Sequence, residues 1–141
     1  MTTLNFSVEI NAPKEKVWRI LWDDQSYRQW TSVFSPSSQA ISDWQEGSRV
    51  QFVDDKGSGM YSIIDKKIEN TEIVFKHLGE MSKGEEKPQS DWAGSKERYV
   101  LISNRNLTQL NVELDTTADF EEYMNDKFPK ALAIVKQLSE Q

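Results

Sequence analysis

The chain has 141 residues and a formal charge of −6, from 17 Lys and Arg against 23 Asp and Glu. That length suits one domain spanning 1–141, and the acidic balance disfavours nucleic acid or an anionic membrane surface as partner. Cysteine is absent, which excludes disulfides, thiolate metal sites and a cysteine nucleophile.

The chain opens on alternation. Leu4, Phe6, Val8 and Ile10 share one face of a strand, so a core lies on that side. Pro13 then suits the first position of a helix that runs to Trp22, because its missing N–H is an orphan there anyway. Residues 23–30 read as a second short helix, with Asp23 or Asp24 placed to cap it and Tyr27 and Trp30 on one face. Residues 31–39, rich in Ser and Pro, form a loop. Strands follow at 40–44, 49–53, 60–68 and 72–79, separated by turn residues such as Gly47-Ser48, Asp54-Asp55-Lys56-Gly57 and Glu69-Asn70-Thr71. Residues 81–94 are polar and charged and read as a long mobile loop.

Two further strands, 95–104 and 107–116, join through a tight Arg105-Asn106 turn. Leu110, Val112 and Leu114 alternate there with Asn111, Glu113 and Asp115, as in a sheet with one buried and one wet face. The chain ends in a helix of about 20 residues, or ~30 Å. Asp119 and Glu122 resemble a capping box at its start, and Phe120, Met124, Phe128, Ala131, Leu132, Val135 and Leu138 form one apolar stripe. Pro129 lies inside that stripe and predicts a kink or a break, with a second segment starting at the proline. The expected architecture is α+β: a curved seven-stranded antiparallel sheet, two short helices after the first strand, and a long C-terminal helix over the concave face.

Ala12-Pro13 with Val17-Trp18 and Leu21, then Trp30, Asp43-Trp44, Gly47-Ser48-Arg49-Val50, Gly59-Met60-Tyr61 and Phe75-Lys76-His77-Leu78-Gly79 carry a family resemblance. On these residues the chain resembles the START-like (SRPBCC) superfamily, with the helix-grip fold of the birch-pollen allergens. More narrowly it resembles the Aha-type branch, homologues of the activator of the heat-shock chaperone ATPase. The resemblance covers essentially the whole chain and implies an apolar cavity between sheet and terminal helix. It departs from the pattern at Pro129, which interrupts the long gripping helix.

Fifteen aromatics (5 Trp, 4 Tyr, 6 Phe) suit both a core and a pocket for flat or greasy ligands. Trp18 and Trp44 read as packing between helices and sheet. Trp30, Phe34 and Trp92 fall on or near loops, where large apolar groups ask for a reason. The candidate cavity lining is Trp22, Trp30, Phe34, Phe52, Tyr61, Phe75, His77, Trp92, Tyr99, Tyr123, Met124 and Phe128. His77, the only histidine, shares its strand phase with Ile73 and Phe75 and points inward with them. It reads as a satisfied core or pocket-edge residue, with Tyr61, Tyr99 and Tyr123 as its candidate partners should it act in acid–base chemistry.

The carboxylate pairs Asp23-Asp24, Asp54-Asp55, Glu85-Glu86 and Glu121-Glu122 read as solvated surface charge, since sequence neighbours do not face each other on a helix. Ser37-Ser38 and Gly57-Ser58-Gly59 lack the strand-to-helix setting of a nucleophile elbow or phosphate loop. No catalytic motif, metal site or cofactor motif is present in the sequence. Three readings follow: a module binding a small hydrophobic or aromatic molecule, an interaction protein acting on a chaperone ATPase, and, least supported, a cyclase or hydrolase. Met1-Thr2-Thr3 lacks a positive start and no apolar run approaches ~20 residues, so the expected setting is the cytoplasm, as a monomer or homodimer.

Overall fold

The computed structural model describes residues 1–141. In chain order the elements are β1 (Thr2–Ile10), α1 (Lys14–Trp22), α2 (Asp24–Trp30), a 3₁₀ turn (Thr31–Val33), β2 (Gln39–Ile41), β3 (Arg49–Val53), β4 (Gly59–Ile68), β5 (Glu72–Ser82), β6 (Glu85–Gln89), β7 (Lys96–Asn104), β8 (Leu107–Thr116) and α3 (Ala118–Ser139). All strand pairs are antiparallel, in the order β1-β8-β7-β5-β4-β3-β2, with β6 added alongside the outer half of β5. The fold is the expected α+β arrangement of a curved sheet and a long terminal helix.

Alternation builds the frame. β1 and β8 pair from Thr2 opposite Thr116 to Ile10 opposite Thr108, so Leu4, Phe6 and Val8 face Leu114, Val112 and Leu110 across the ladder. Cross-strand pairs of this kind stabilise a sheet by roughly 0.2–1 kcal/mol each. The buried Thr108 hydroxyl donates to the Ala12 carbonyl (2.7 Å), tying β8 to the approach to α1. Twenty buried residues from the sheet and all three helices make the main core, including Ile10, Val17, Trp18, Leu21, Phe75, Leu110, Ala131 and Val135.

The structure corrects several local expectations. Residues 81–94 are not a long loop: β5 runs on to Ser82 and turns through Lys83 and Gly84, both at positive φ (52° and 78°), into β6. Two positive φ values in a two-residue turn match the twist of a hairpin. The Gly84 N–H also donates to the Gly57 carbonyl (3.1 Å), pinning this hairpin to the β3–β4 turn. The sheet therefore has eight strands, and the expected strand at 40–44 shrinks to Gln39–Ile41.

α3 runs unbroken through Pro129 for 22 residues. Pro129 and Asn125 both lie on the exposed side, so the carbonyl that loses its donor faces water. The capping box does not form either. Thr117 is the N-cap and makes no side-chain cap bond, while Asp119 sits in the first turn, where its charge favours the helix dipole. Likewise Asp23 occupies the N-cap of α2 without a side-chain bond, and Pro13 sits at the N-cap of α1, one residue before the position expected of it.

Candidate functional site

The apolar stripe of α3 splits into two jobs. Its C-terminal stretch, Phe128 to Val135, is sealed in the core, and Phe128 stacks on Phe6 (5.1 Å between ring centres). Its N-terminal stretch is not sealed: Phe120 and Tyr123 are 53% and 40% exposed and Met124 is half-buried. Adjoining cavities of about 270 Å³ and 410 Å³ open beneath these N-terminal turns. Phe52, Gly59, Met60, Glu97 and Met124 line both, so the two are halves of one groove.

Rings dominate the first cavity: Trp22, Tyr27, Trp30, Phe34, Phe52, Tyr99, Tyr123 and Phe128. Trp22 is the hub. Its ring meets Trp18, Tyr27, Trp30, Trp44, Phe75 and Tyr99 at centre separations of 4.9 to 6.4 Å, mostly in edge-to-face geometry. Its Nε1–H is buried with no partner, whereas the Trp30 Nε1–H donates to the Leu21 carbonyl (3.0 Å). Trp44 closes the cluster from a backbone at φ 61°, a costly conformation for a bulky residue, held by the Ser42 hydroxyl on its N–H (3.0 Å) and Lys67 on its carbonyl (2.7 Å).

A polar chain crosses the waist of the groove. Ser62 Oγ lies 2.6 Å from His77 Nδ1, and His77 Nε2 lies 3.2 Å from Glu97 Oε1. The Tyr99 hydroxyl donates to Glu97 Oε2. One assignment satisfies every group: Ser62 donates to Nδ1, Nε2–H donates to Glu97, and Glu97 accepts from both sides as a carboxylate. Burial pushes the Tyr99 and Tyr27 phenols far above their ordinary value, and the Glu97 charge raises both further. Both therefore remain neutral hydroxyls. A bulge in β5 makes this alignment: Ser62 pairs with His77 and Tyr61 with Gly79, so Leu78 is the extra residue. The returning segment then clamps the His77 backbone, whose N–H donates to Ser95 (2.8 Å) and whose carbonyl accepts from Gly94 (2.8 Å).

The succession Ser62–His77–Glu97 has the order of a hydrolase triad but not its access. Ser62 is fully buried and lines neither cavity, so its hydroxyl meets no substrate. Glu97 is the member that reaches both cavities.

Of the twelve candidate lining residues, ten border the groove. Trp22, Trp30, Phe34, Tyr99, Tyr123 and Phe128 line the first cavity, His77 and Trp92 the second, and Phe52 and Met124 both. Phe75 is fully buried behind them, in edge contact with Trp22 and Phe52. Tyr61 packs elsewhere, in a small cluster with Val53 and Met81, where its ring covers Gly79 and carries the Arg49 guanidinium (5.2 Å). The expected tyrosine partners of His77 also change. Tyr61 donates to the Lys87 carbonyl and Tyr123 to Phe34, so the direct partners are Ser62 and Glu97, with Tyr99 one bond further on. Sequence reasoning missed Glu97 and Tyr27. The available signal was phase: Glu97 and Tyr99 are two apart on one strand, so they share a face.

A family model described as Activator of Hsp90 ATPase homolog 1-like protein matches residues 11–138. Among solved structures, the Aha1 dimer from Colwellia psychrerythraea aligns over 99% of this chain and 97% of its own, with 22% identity and a TM-score of 0.77. Protein MLL2253 from Mesorhizobium loti aligns over 97% and 96%, with 16% identity and a TM-score of 0.74. CalU16 from Micromonospora echinospora aligns over 96% of this chain and 74% of its own, with 16% identity and a TM-score of 0.68. No curated protein matches the chain in sequence.

Proposed function

The chain belongs to the Activator of Hsp90 ATPase homolog 1-like family, and from that premise we propose that it is a binding module whose groove takes a small hydrophobic or aromatic molecule. One observation carries this reading: the 270 Å³ cavity is walled by eight aromatic rings and continues into a second cavity. Together they fall in the usual size range of small-molecule sites, about 300–1,000 Å³. Binding, not turnover, suits the walls, because the buried Ser62 hydroxyl does not border the groove that His77 and Glu97 reach.

Filling the groove tests this. Met124 borders both cavities from an incompletely buried position on α3. Met124→Trp should abolish the fluorescence enhancement that the uncharged dye N-phenylnaphthylamine gains on the wild-type protein, while the melting temperature holds or rises. Equal dye uptake by both proteins would place the binding site elsewhere.

The family match favours a second reading, a cofactor that stimulates a chaperone ATPase through its outer surface. The β5–β6 hairpin is the feature available for it, since every residue of Glu85–Gln89 is exposed. Reversing the charges of Glu85, Glu86 and Lys87 should then remove any stimulation of the cognate chaperone. A chaperone whose ATPase rate never responds to the wild-type chain would eliminate this reading.

A further inference from the structure

The charged side chains on the groove are of one sign. The first cavity carries Asp54 and Glu97, the second Glu80, Glu97 and Asp115, and no lysine or arginine lines either. This is not a consequence of overall composition, since the chain holds 17 Lys and Arg. Asp54 is committed to its turn. Its Oδ1 accepts the Ser58 and Lys56 N–H groups (2.9 Å each), and these bonds, with that to Ser58 foremost, hold its carboxyl below the usual carboxylate range. Glu97 is different. Its side chain is 14% exposed, it stands in the waist between the two cavities, and its neighbours are aromatic.

A carboxylate accepts about four hydrogen bonds. Tyr99 and His77 supply one each, and no further partner of Glu97 is present in the fold. A free acceptor in a site of low dielectric prefers a donor that also brings positive charge. The rings of Trp22, Tyr27, Phe52 and Tyr99 border the same cavity, and the quadrupole of such a ring attracts a cation to its face. An anionic headgroup, by contrast, would meet the carboxylate side chains of Asp54, Glu80, Glu97 and Asp115, of its own sign. We infer that the ligand of this groove is an organic cation, an aromatic or alkyl amine whose apolar body lies among the rings and whose ammonium is held by Glu97. The inference rests on the ligand-binding reading and narrows it to a chemical class that excludes fatty acids and other anionic amphiphiles.

Three probes of one shape separate the possibilities: phenylbutylamine, phenylbutanol and phenylbutyrate, titrated calorimetrically at neutral pH into wild-type protein and Glu97→Gln. The amine should bind wild type at least about tenfold more tightly than the alcohol, the scale of one charge-assisted hydrogen bond, with the carboxylate weakest. In Glu97→Gln the amine-to-alcohol ratio should fall to within about twofold. Alcohol or carboxylate binding as tightly as the amine would overturn the charge preference and leave the apolar groove standing. No binding of any of the three would overturn both readings. A preference that survives in Glu97→Gln would remove Glu97 as its source. The ranking in the wild-type protein decides the charge question even if the variant folds poorly.

Discussion

Glu72 shows how a single buried charge is made tolerable on the far side of this sheet. Burial alone would raise its carboxyl, but hydrogen bonds from Arg98 (2.5 Å) and Lys66 (3.0 Å) outweigh it and hold the group below its ordinary value of 4.5. A carboxylate whose affinity for protons is lower when folded contributes stability above its unfolded pKa. That contribution is lost as the pH falls through about 4.5 and below. Glu72→Gln should therefore cost about 1–2 kcal/mol in denaturant melts at neutral pH, and the gap from wild type should close in acid. A gap of equal size at both pH values would mean that Glu72 stabilises by packing and not by charge. The contrast with Glu97 is instructive: Glu72 is capped by a lysine and an arginine, whereas the partners of Glu97 are a phenol and an imidazole.

At the scale of elements, legibility followed from how much of each element is buried on one side. β1 and β8 alternate because one face meets the core and the other water, and their parity could be read directly. β6 could not be read, because both its faces are wet: a five-residue edge strand without an apolar side chain beyond Pro88 carries no period. Its existence rests on the Lys83-Gly84 turn and on the ladder offered by the outer half of β5. Pro129 misled in the opposite way. The local rule against proline in a helix is sound, but burial of Phe128, Ala131, Leu132 and Val135 on one face outweighs one missing hydrogen bond on the other. The aromatic lining was legible as residue types and strand phases. Its division was not: that Phe75 lies behind the groove and Tyr61 outside it depends on the β5 bulge, which no spacing announces.

For the whole molecule, the question is why a chain this small leaves a groove unfilled. A sealed and empty space of 270 Å³ would cost about 6 kcal/mol at ~24 cal/mol per Å³, comparable with the entire stability of many domains. The groove is instead open, bordered by the exposed Phe120 and Tyr123 and by the β3–β4 turn. Aromatic walls hold water poorly, and two features border the space: a terminal helix packed firmly only along its C-terminal stretch, and Gly59. A Cβ on Gly59 would sit 1.9 Å from the Phe52 carbonyl oxygen, so only glycine lets β3 and β4 approach closely at the groove wall. No helix is long and apolar enough to cross a membrane. These features are the ones that the proposed binding of a small apolar-bodied molecule requires.

Native mass spectrometry of freshly purified protein, followed by solvent extraction, tests this claim most directly. The expected result is a discrete added mass that disappears on denaturation and is recovered in the extract as a small amine with an apolar body. A clean apo mass, together with no thermal stabilisation by a panel of hydrophobic cations and neutral compounds, would contradict it and shift the function to the outer surface and a protein partner.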